Sequence, residues 1–163
     1  MADGRGMKAA RGFTLIELVI TVAIVALLAS VALPVSELAV QRTNEQDLRR
    51  SLRQIREAID AYKQASDENR IKKSIGDSGY PKKLEELVEG VDDLQNQKKA
   101  KIYFLRRIPR DPFNADPAIS AAATWGKRSY ASPPDDPKEG EDVFDVFSLA
   151  PGTGINGRPY REW

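Results

Sequence analysis

Hydrophobic residues dominate one stretch near the N-terminus, residues 13–33, in which only two threonines, one serine and Glu17 are not apolar. A helix of this length spans about 31 Å, which matches the hydrocarbon core of a bilayer. Pro34 follows, and good helix formers resume over residues 35–65. The pattern predicts a transmembrane helix over residues 13–34 that continues through 35–65. A kink is expected near Pro34, because proline removes one backbone hydrogen bond.

The second half of this helix carries an apolar stripe. Its members recur at spacings of 4, 3, 4 and 3, which places them on one helix face. The stripe predicts a small globular domain packed on this half, rather than a coiled coil. Residues 41–47 are polar all round and are expected to project between the membrane and the domain. The stripe consists of Leu48, Leu52, Ile55, Ile59 and Tyr62.

The remaining residues, 66–163, are divided by glycine and proline into short segments. "PKKLEELVEG" predicts a short helix, and "KAKIYFLRRIPRDPF" mixes a possible short helix with a turn. "WGKRSYAS" and "EDVFDVFSLA" favour two strands. Asn156-Gly157 favours a turn, after which Tyr160 and Trp163 are expected to pack back. Helix followed by strands predicts an α+β fold, with the long N-terminal helix packed on a small C-terminal antiparallel sheet.

Composition restricts the chemistry that the chain can perform. It has no histidine and no cysteine, which excludes histidine acid–base catalysis, thiol catalysis, thiolate metal sites and disulfides. An enzyme is therefore not expected. The 25 basic and 24 acidic residues are interleaved, so a nucleic-acid partner is not expected either.

Glu17 is the unusual residue of the apolar segment, because a carboxylate inside a membrane costs roughly 2.5–3.5 kcal/mol near the helix centre and less toward an end. A cleaved secretory signal peptide would have a shorter apolar region without a charge. A plain membrane anchor would leave Glu17 unexplained. The basic residues Arg5, Lys8 and Arg11 precede the segment, which places the N-terminus in the cytoplasm and residues 35–163 across the membrane.

Cleavage between Gly12 and Phe13 would give Glu17 a partner. The new amino group of Phe13 would lie four residues before the carboxylate, and positions i and i+4 share one helix face. In an assembly the carboxylate could instead meet the amine of the next subunit. The charge would then set the axial register of otherwise featureless apolar helices.

The segment "RGFTLIELVITVAIVALLASVALP" resembles the class III signal and first helix of type IV pilins and pseudopilins. The resemblance implies that residues 1–12 are a leader, or residues 7–12 if the start is Met7. It implies that Gly12 is the last leader residue, removed by a prepilin peptidase. Phe13 would then be the N-methylated first residue and Glu17 the assembly carboxylate.

Four features follow further along the chain: a Tyr-Pro before a short helix, "RIPRDPF", a tyrosine strand and "DVFSL". Together they resemble the major pseudopilin (G class) of type II secretion systems. This resemblance implies a structural subunit that polymerises into a periplasmic filament. Its implied partners are further copies of itself, minor pseudopilins, an inner-membrane assembly platform and membrane lipid. The implied location is the inner membrane, crossed once, with the C-terminal domain in the periplasm.

Two other functions fit parts of the pattern. A subunit of a surface type IV pilus, for adhesion, motility or DNA uptake, would share the N-terminal segment, although adhesive pilins commonly carry a C-terminal cysteine pair that is absent here. A secreted or anchored binding domain with an unusual signal is the alternative from another class.

Calcium is the one candidate cofactor. Six carboxylates fall between residues 135 and 145, and carboxylate oxygens suit this cation. The resemblance also implies a calcium site in this neighbourhood, but its loop aspartate beyond "DVFSL" is missing, since Leu149 is followed by Ala-Pro-Gly. We therefore assign no metal ligands and favour a solvated acidic loop.

Overall fold

A computed structural model describes residues 12–97 and 100–163, apart from the side chains of residues 31–34. The predicted leader, residues 1–12, lies outside this description except for Gly12. Helix α1 runs from Leu15–Asp67. The chain forms two compact units that divide within α1, Met1–Gln41 and Arg42–Trp163, and we call the second the globular unit.

The first unit contains the apolar half of α1. Its apolar side chains are exposed, for example Leu15 at 83% and Leu28 at 66%. Within the described residues, α1 is the one helix that is long and apolar enough to cross a membrane. Pro34 lies inside α1, but its side chain is outside the described part, so the kink remains a prediction.

The core of the globular unit lies on the predicted stripe of α1, whose five residues are all buried. Opposite the stripe lie side chains from a short helix, two strands and the C-terminal segment. This confirms that a small domain packs on the second half of the helix. The opposing residues include Leu84, Leu87, Trp125, Val146 and Tyr160.

The main antiparallel pair of strands was predicted from the sequence. We number the strands in chain order, so this pair is β3 (Trp125–Arg128) and β4 (Asp145–Ser148), with Trp125 opposite Ser148. The turn at Asn156-Gly157 and the inward packing of Tyr160 are also confirmed. The fold is α+β, as expected.

A second small sheet was not predicted. Strand β1 (Val91–Asp92) pairs antiparallel with β2 (Lys101–Ile102), just after the short helix α2 (Glu86–Glu89). The possible helix in "KAKIYFLRRIPRDPF" is therefore wrong. Its backbone donors are used elsewhere, because the amides of Phe104 and the next residue both donate to the Leu87 carbonyl. Two 3₁₀ turns complete the fold, Ala122–Thr124 and Tyr160–Glu162.

The polar segment 41–47 does not simply project away from the domain. Glu45 is buried, at 6% exposure. Its Oε1 accepts hydrogen bonds from the Ile155 amide at 2.8 Å and from the Tyr160 hydroxyl at 3.1 Å. The predicted projection of residues 41–47 is therefore wrong at Glu45. The C-terminal segment, more than 100 residues away along the chain, covers this turn of the helix.

Candidate functional site

The start of α1 is built by Thr14. Its Oγ1 accepts a hydrogen bond from the Glu17 amide at 3.3 Å, and its carbonyl accepts one from the Leu18 amide at 3.2 Å. Thr14 is thus the N-cap residue, which satisfies a helix donor that has no partner inside the helix. The cap fixes where the helix begins and therefore where Glu17 lies.

Glu17 occupies the first turn of α1. The helix dipole gives this end a partial positive charge, which favours a carboxylate there over one in the middle of the helix. The bond from the Glu17 amide to Thr14 was not predicted from the sequence. A readable signal was present, since Thr-x-x-Glu is the sequence of a capping box.

Gly12 and Phe13 precede the helix, and Phe13 is 81% exposed. Because α1 begins at Leu15, Phe13 is not helical here and does not share with Glu17 the helix face that had been expected. That relation would require the helix to begin two residues earlier after cleavage. The cleavage position, the methylation of Phe13 and the assembly role of Glu17 stay predictions.

The other polar side chains of the apolar segment are satisfied within the helix itself. The Thr21 hydroxyl donates to the Leu18 carbonyl at 2.9 Å, and the Ser30 hydroxyl donates to the Leu27 carbonyl at 2.7 Å. Such local bonds let hydroxyls reside in an apolar environment. Glu17 is the only ionisable residue between positions 12 and 36, so it is the one group there that needs a charged partner.

Two of the acidic residues between positions 135 and 145 contact other segments of the chain. Asp145 pairs with Arg56 at 2.8 Å and with Arg128 at 3.4 Å. Asp142 accepts hydrogen bonds from the Ser78 hydroxyl and from the Tyr130 amide. Across residues 12–97 and 100–163, the structure brings no three acidic side chains together in a metal-binding group.

A buried polar contact links two segments that are far apart in the sequence. Asp111 of "RIPRDPF" is 1% exposed, and its Oδ2 accepts a hydrogen bond from the Ser148 hydroxyl of "DVFSL" at 2.5 Å. The other carboxyl oxygen accepts from the Phe113 amide at 2.9 Å. No sequence pattern signalled that Asp111 would be buried.

Residues 7–33 match the family model described as the prokaryotic N-terminal methylation motif. No curated protein and no solved structure matches the chain. The matched stretch is 27 of 163 residues and contains Gly12, Phe13 and Glu17. Together with the apolar helix and the α+β fold, the match supports a type IV pilin-like protein.

Proposed function

We propose that the chain is a pseudopilin, a structural subunit that polymerises into the periplasmic filament of a type II secretion system. One observation carries the proposal. The methylation motif at residues 7–33 leads into a single helix, Leu15–Asp67, whose second half is the core of a small α+β unit. The role is structural rather than enzymatic.

The proposed assembly begins with cleavage after Gly12 by a prepilin peptidase, which frees the amino group of Phe13 for methylation. The processed subunits reside in the inner membrane with the globular unit in the periplasm. An assembly platform then adds them to the filament. The exposed apolar side chains of α1 are covered by neighbouring helices in the filament. Glu17 paired with a neighbour's Phe13 amine opposes sliding, since an unpaired buried charge is costly.

Two features favour the secretion filament over a surface pilus. The chain has no cysteine, whereas adhesive pilins commonly carry a C-terminal pair. The segments that resemble the major pseudopilin, "RIPRDPF" and "DVFSL", join through Asp111 and Ser148 in one buried unit. They therefore act as parts of one structure rather than as independent short matches.

Mass spectrometry of the mature protein tests the processing step. The expected N-terminus is a methylated Phe13, and Gly12→Leu should leave the chain uncleaved because a bulky side chain replaces the last leader residue. An intact N-terminal leader on the mature protein, or cleavage near Ala32, would contradict the proposal.

Assembly is tested with Glu17→Ala. This variant should be inserted in the membrane and processed, yet form no filaments in electron micrographs of cells that overproduce it. Thr14→Ser is the matched control, because it keeps a capping hydroxyl and should assemble normally. Normal filaments from Glu17→Ala would remove the role assigned to the carboxylate.

Deleting the gene separates the two filament types. The proposed secretion role predicts that folded proteins are no longer exported while surface fibres remain. Loss of surface fibres with unchanged export would favour a type IV pilus. Minor pseudopilins should co-purify with the filament in the first case.

A further inference from the structure

We propose that an arginine face on the globular unit binds the acidic loop, residues 133–142, of a second copy of this chain. This inference rests on the proposed filament and adds a specific contact between neighbouring globular units. We define the arginine face as Arg42, Arg49 and Arg53 of α1 with Arg158 of the C-terminal segment.

The arginine face is exposed to solvent. Arg42, Arg49 and Arg53 follow one another at spacings of 7 and 4, so they share one side of α1. All four side chains are exposed, and none forms an ion pair within the part of the chain that the structure describes. Arg49 lies over the Trp163 ring, 4.4 Å from its centroid, which holds that guanidinium in place.

Three of these arginines border a groove of about 470 Å³ between α1 and the C-terminal segment, with Trp163 in its lining. Glu57 and Asp60 also line the groove, one and two turns beyond Arg53, and Glu162 lines it from the C-terminal segment. The positive end of the groove is therefore the end at Arg49 and Arg53. A carboxylate can take two parallel hydrogen bonds from a guanidinium there.

The acidic loop is the complementary surface. It carries five carboxylates against one lysine, a formal charge of −4. Lys138 pairs with Asp136 at 2.8 Å, and Glu139 lies 3.7 Å from Lys127. Asp135 and Glu141 are exposed and have no ion-pair partner among the described residues.

The two surfaces lie at different levels of the globular unit. Asp142 in the loop accepts a hydrogen bond from Ser78, and the next residue, Gly79, approaches Ser66 near the end of α1. Ser66 is 13 residues beyond Arg53, which corresponds to about 20 Å along the helix. Among the described residues, no ion pair joins the acidic loop to the arginine face of the same chain.

Two different, complementary surfaces on one chain give a head-to-tail contact. Such a contact does not close on itself in pairs, and repeated with a fixed rotation it generates an open helical filament. A self-complementary surface would instead give a dimer. The charge arrangement therefore suits a filament and identifies the partner as a second copy.

Disulfide cross-linking of the full chain in assembled filaments tests this contact, because the protein has no cysteine of its own. Gln46→Cys places a thiol within the arginine face, and Pro134→Cys places one in the acidic loop. Both positions are exposed and neither substitution alters a charge. The double variant should give a ladder of trimers and longer products after oxidation, whereas a mixture of the two single variants should give dimers only.

Charge reversal is the second test of the contact between the arginine face and the acidic loop. In the double-cysteine chain, Arg49→Glu with Arg53→Glu should lower the ladder about fivefold, as expected for losing surface ion pairs. Reversing Glu139 and Glu141 to arginine in the same chain should restore it. Lys83→Glu, a single charge reversal at an exposed position elsewhere, is the control and should leave the ladder intact. Salt at about 1 M should also lower it, because the screening length falls to about 3 Å.

The outcomes separate this inference from the proposed function. Electron microscopy before oxidation shows whether filaments form. Filaments without a ladder, or a ladder indifferent to charge reversal, would overturn the contact and leave the filament proposal standing. An absence of filaments from the cysteine-free parent chain would overturn both.

Discussion

Removing the carboxyl group of Asp111 should strongly destabilise the globular unit. The group is 1% exposed and accepts hydrogen bonds from the Ser148 hydroxyl at 2.5 Å and the Phe113 amide at 2.9 Å. Leaving a buried donor without its acceptor costs about 1–3 kcal/mol. With two donors affected and a small cavity created, Asp111→Ala should lower the free energy of unfolding by about 3–5 kcal/mol. Single domains have about 5–15 kcal/mol in total, so much of the stability would be lost.

The measurement is urea denaturation of residues 42–163, followed by the fluorescence of Trp125, which is buried beside Thr124. Asp111→Asn is the matched control. It keeps an oxygen for the Phe113 amide and can donate to the Ser148 hydroxyl, so it should cost only about 1–2 kcal/mol.

A double-mutant cycle with Ser148→Ala isolates the pair. The expected coupling free energy between Asp111 and Ser148 is about 1–2 kcal/mol, since the two side chains are in direct contact. A coupling below about 0.5 kcal/mol, or an Asp111→Ala variant as stable as the parent, would show that this contact does not stabilise the globular unit.

Three further predictions concern the globular unit. The Arg70 guanidinium, 2.7 Å from Asp93, holds the pKa of Asp93 below its ordinary value of 3.8. Because the folded pKa is depressed, its stabilising effect is present above pH 3.8 and is lost as the pH falls through the folded pKa. Arg70→Gln should therefore raise that pKa towards 3.8 in an NMR titration, and an unchanged titration would contradict this. Gly126→Ala should lower the free energy of unfolding by about 1–3 kcal/mol, because the added methyl would lie 2.3 Å from the Phe147 ring. Phe147→Leu in the same chain should recover part of the loss, whereas an equally stable Gly126→Ala variant would show that the ring moves freely. Calcium or a chelator should leave the melting temperature unchanged, since Asp145 is already held by arginines. A calcium-dependent rise of more than about 4 °C would reveal a site.

The sequence predicted the elements whose signal is local. The stripe from Leu48 to Tyr62 has a clear helical period, and β3 and β4 contain aromatic and branched residues between turn formers. Strands β1 and β2 have two residues each, which is too short for any period to be read.

Among the polar residues of the core and of the helix cap, too, those with local partners could be predicted and those with distant partners could not. The cap at Thr14 was predictable in principle, because its bonding partner is only three residues away. Glu45 and Asp111 were not, because their partners lie 110 and 37 positions away along the chain. A single polar residue becomes buried only when the tertiary fold brings such a partner to it. Hydrophobic patterning carries no information about that encounter.

The contacts between α1 and the C-terminal segment determine when this protein can finish folding. Arg56 donates to the Trp163 carbonyl, 107 positions later, and Glu45 is bonded to Tyr160, 115 positions later. At about 5–20 residues per second, a ribosome needs about 5–20 s to supply the residues between them. During that interval the second half of α1 is not yet covered by the C-terminal segment. Contacts between residues so far apart in the sequence also form slowly. The nascent chain therefore exposes an apolar stripe during this interval, and it is prone to aggregate until the C-terminal segment has been synthesised.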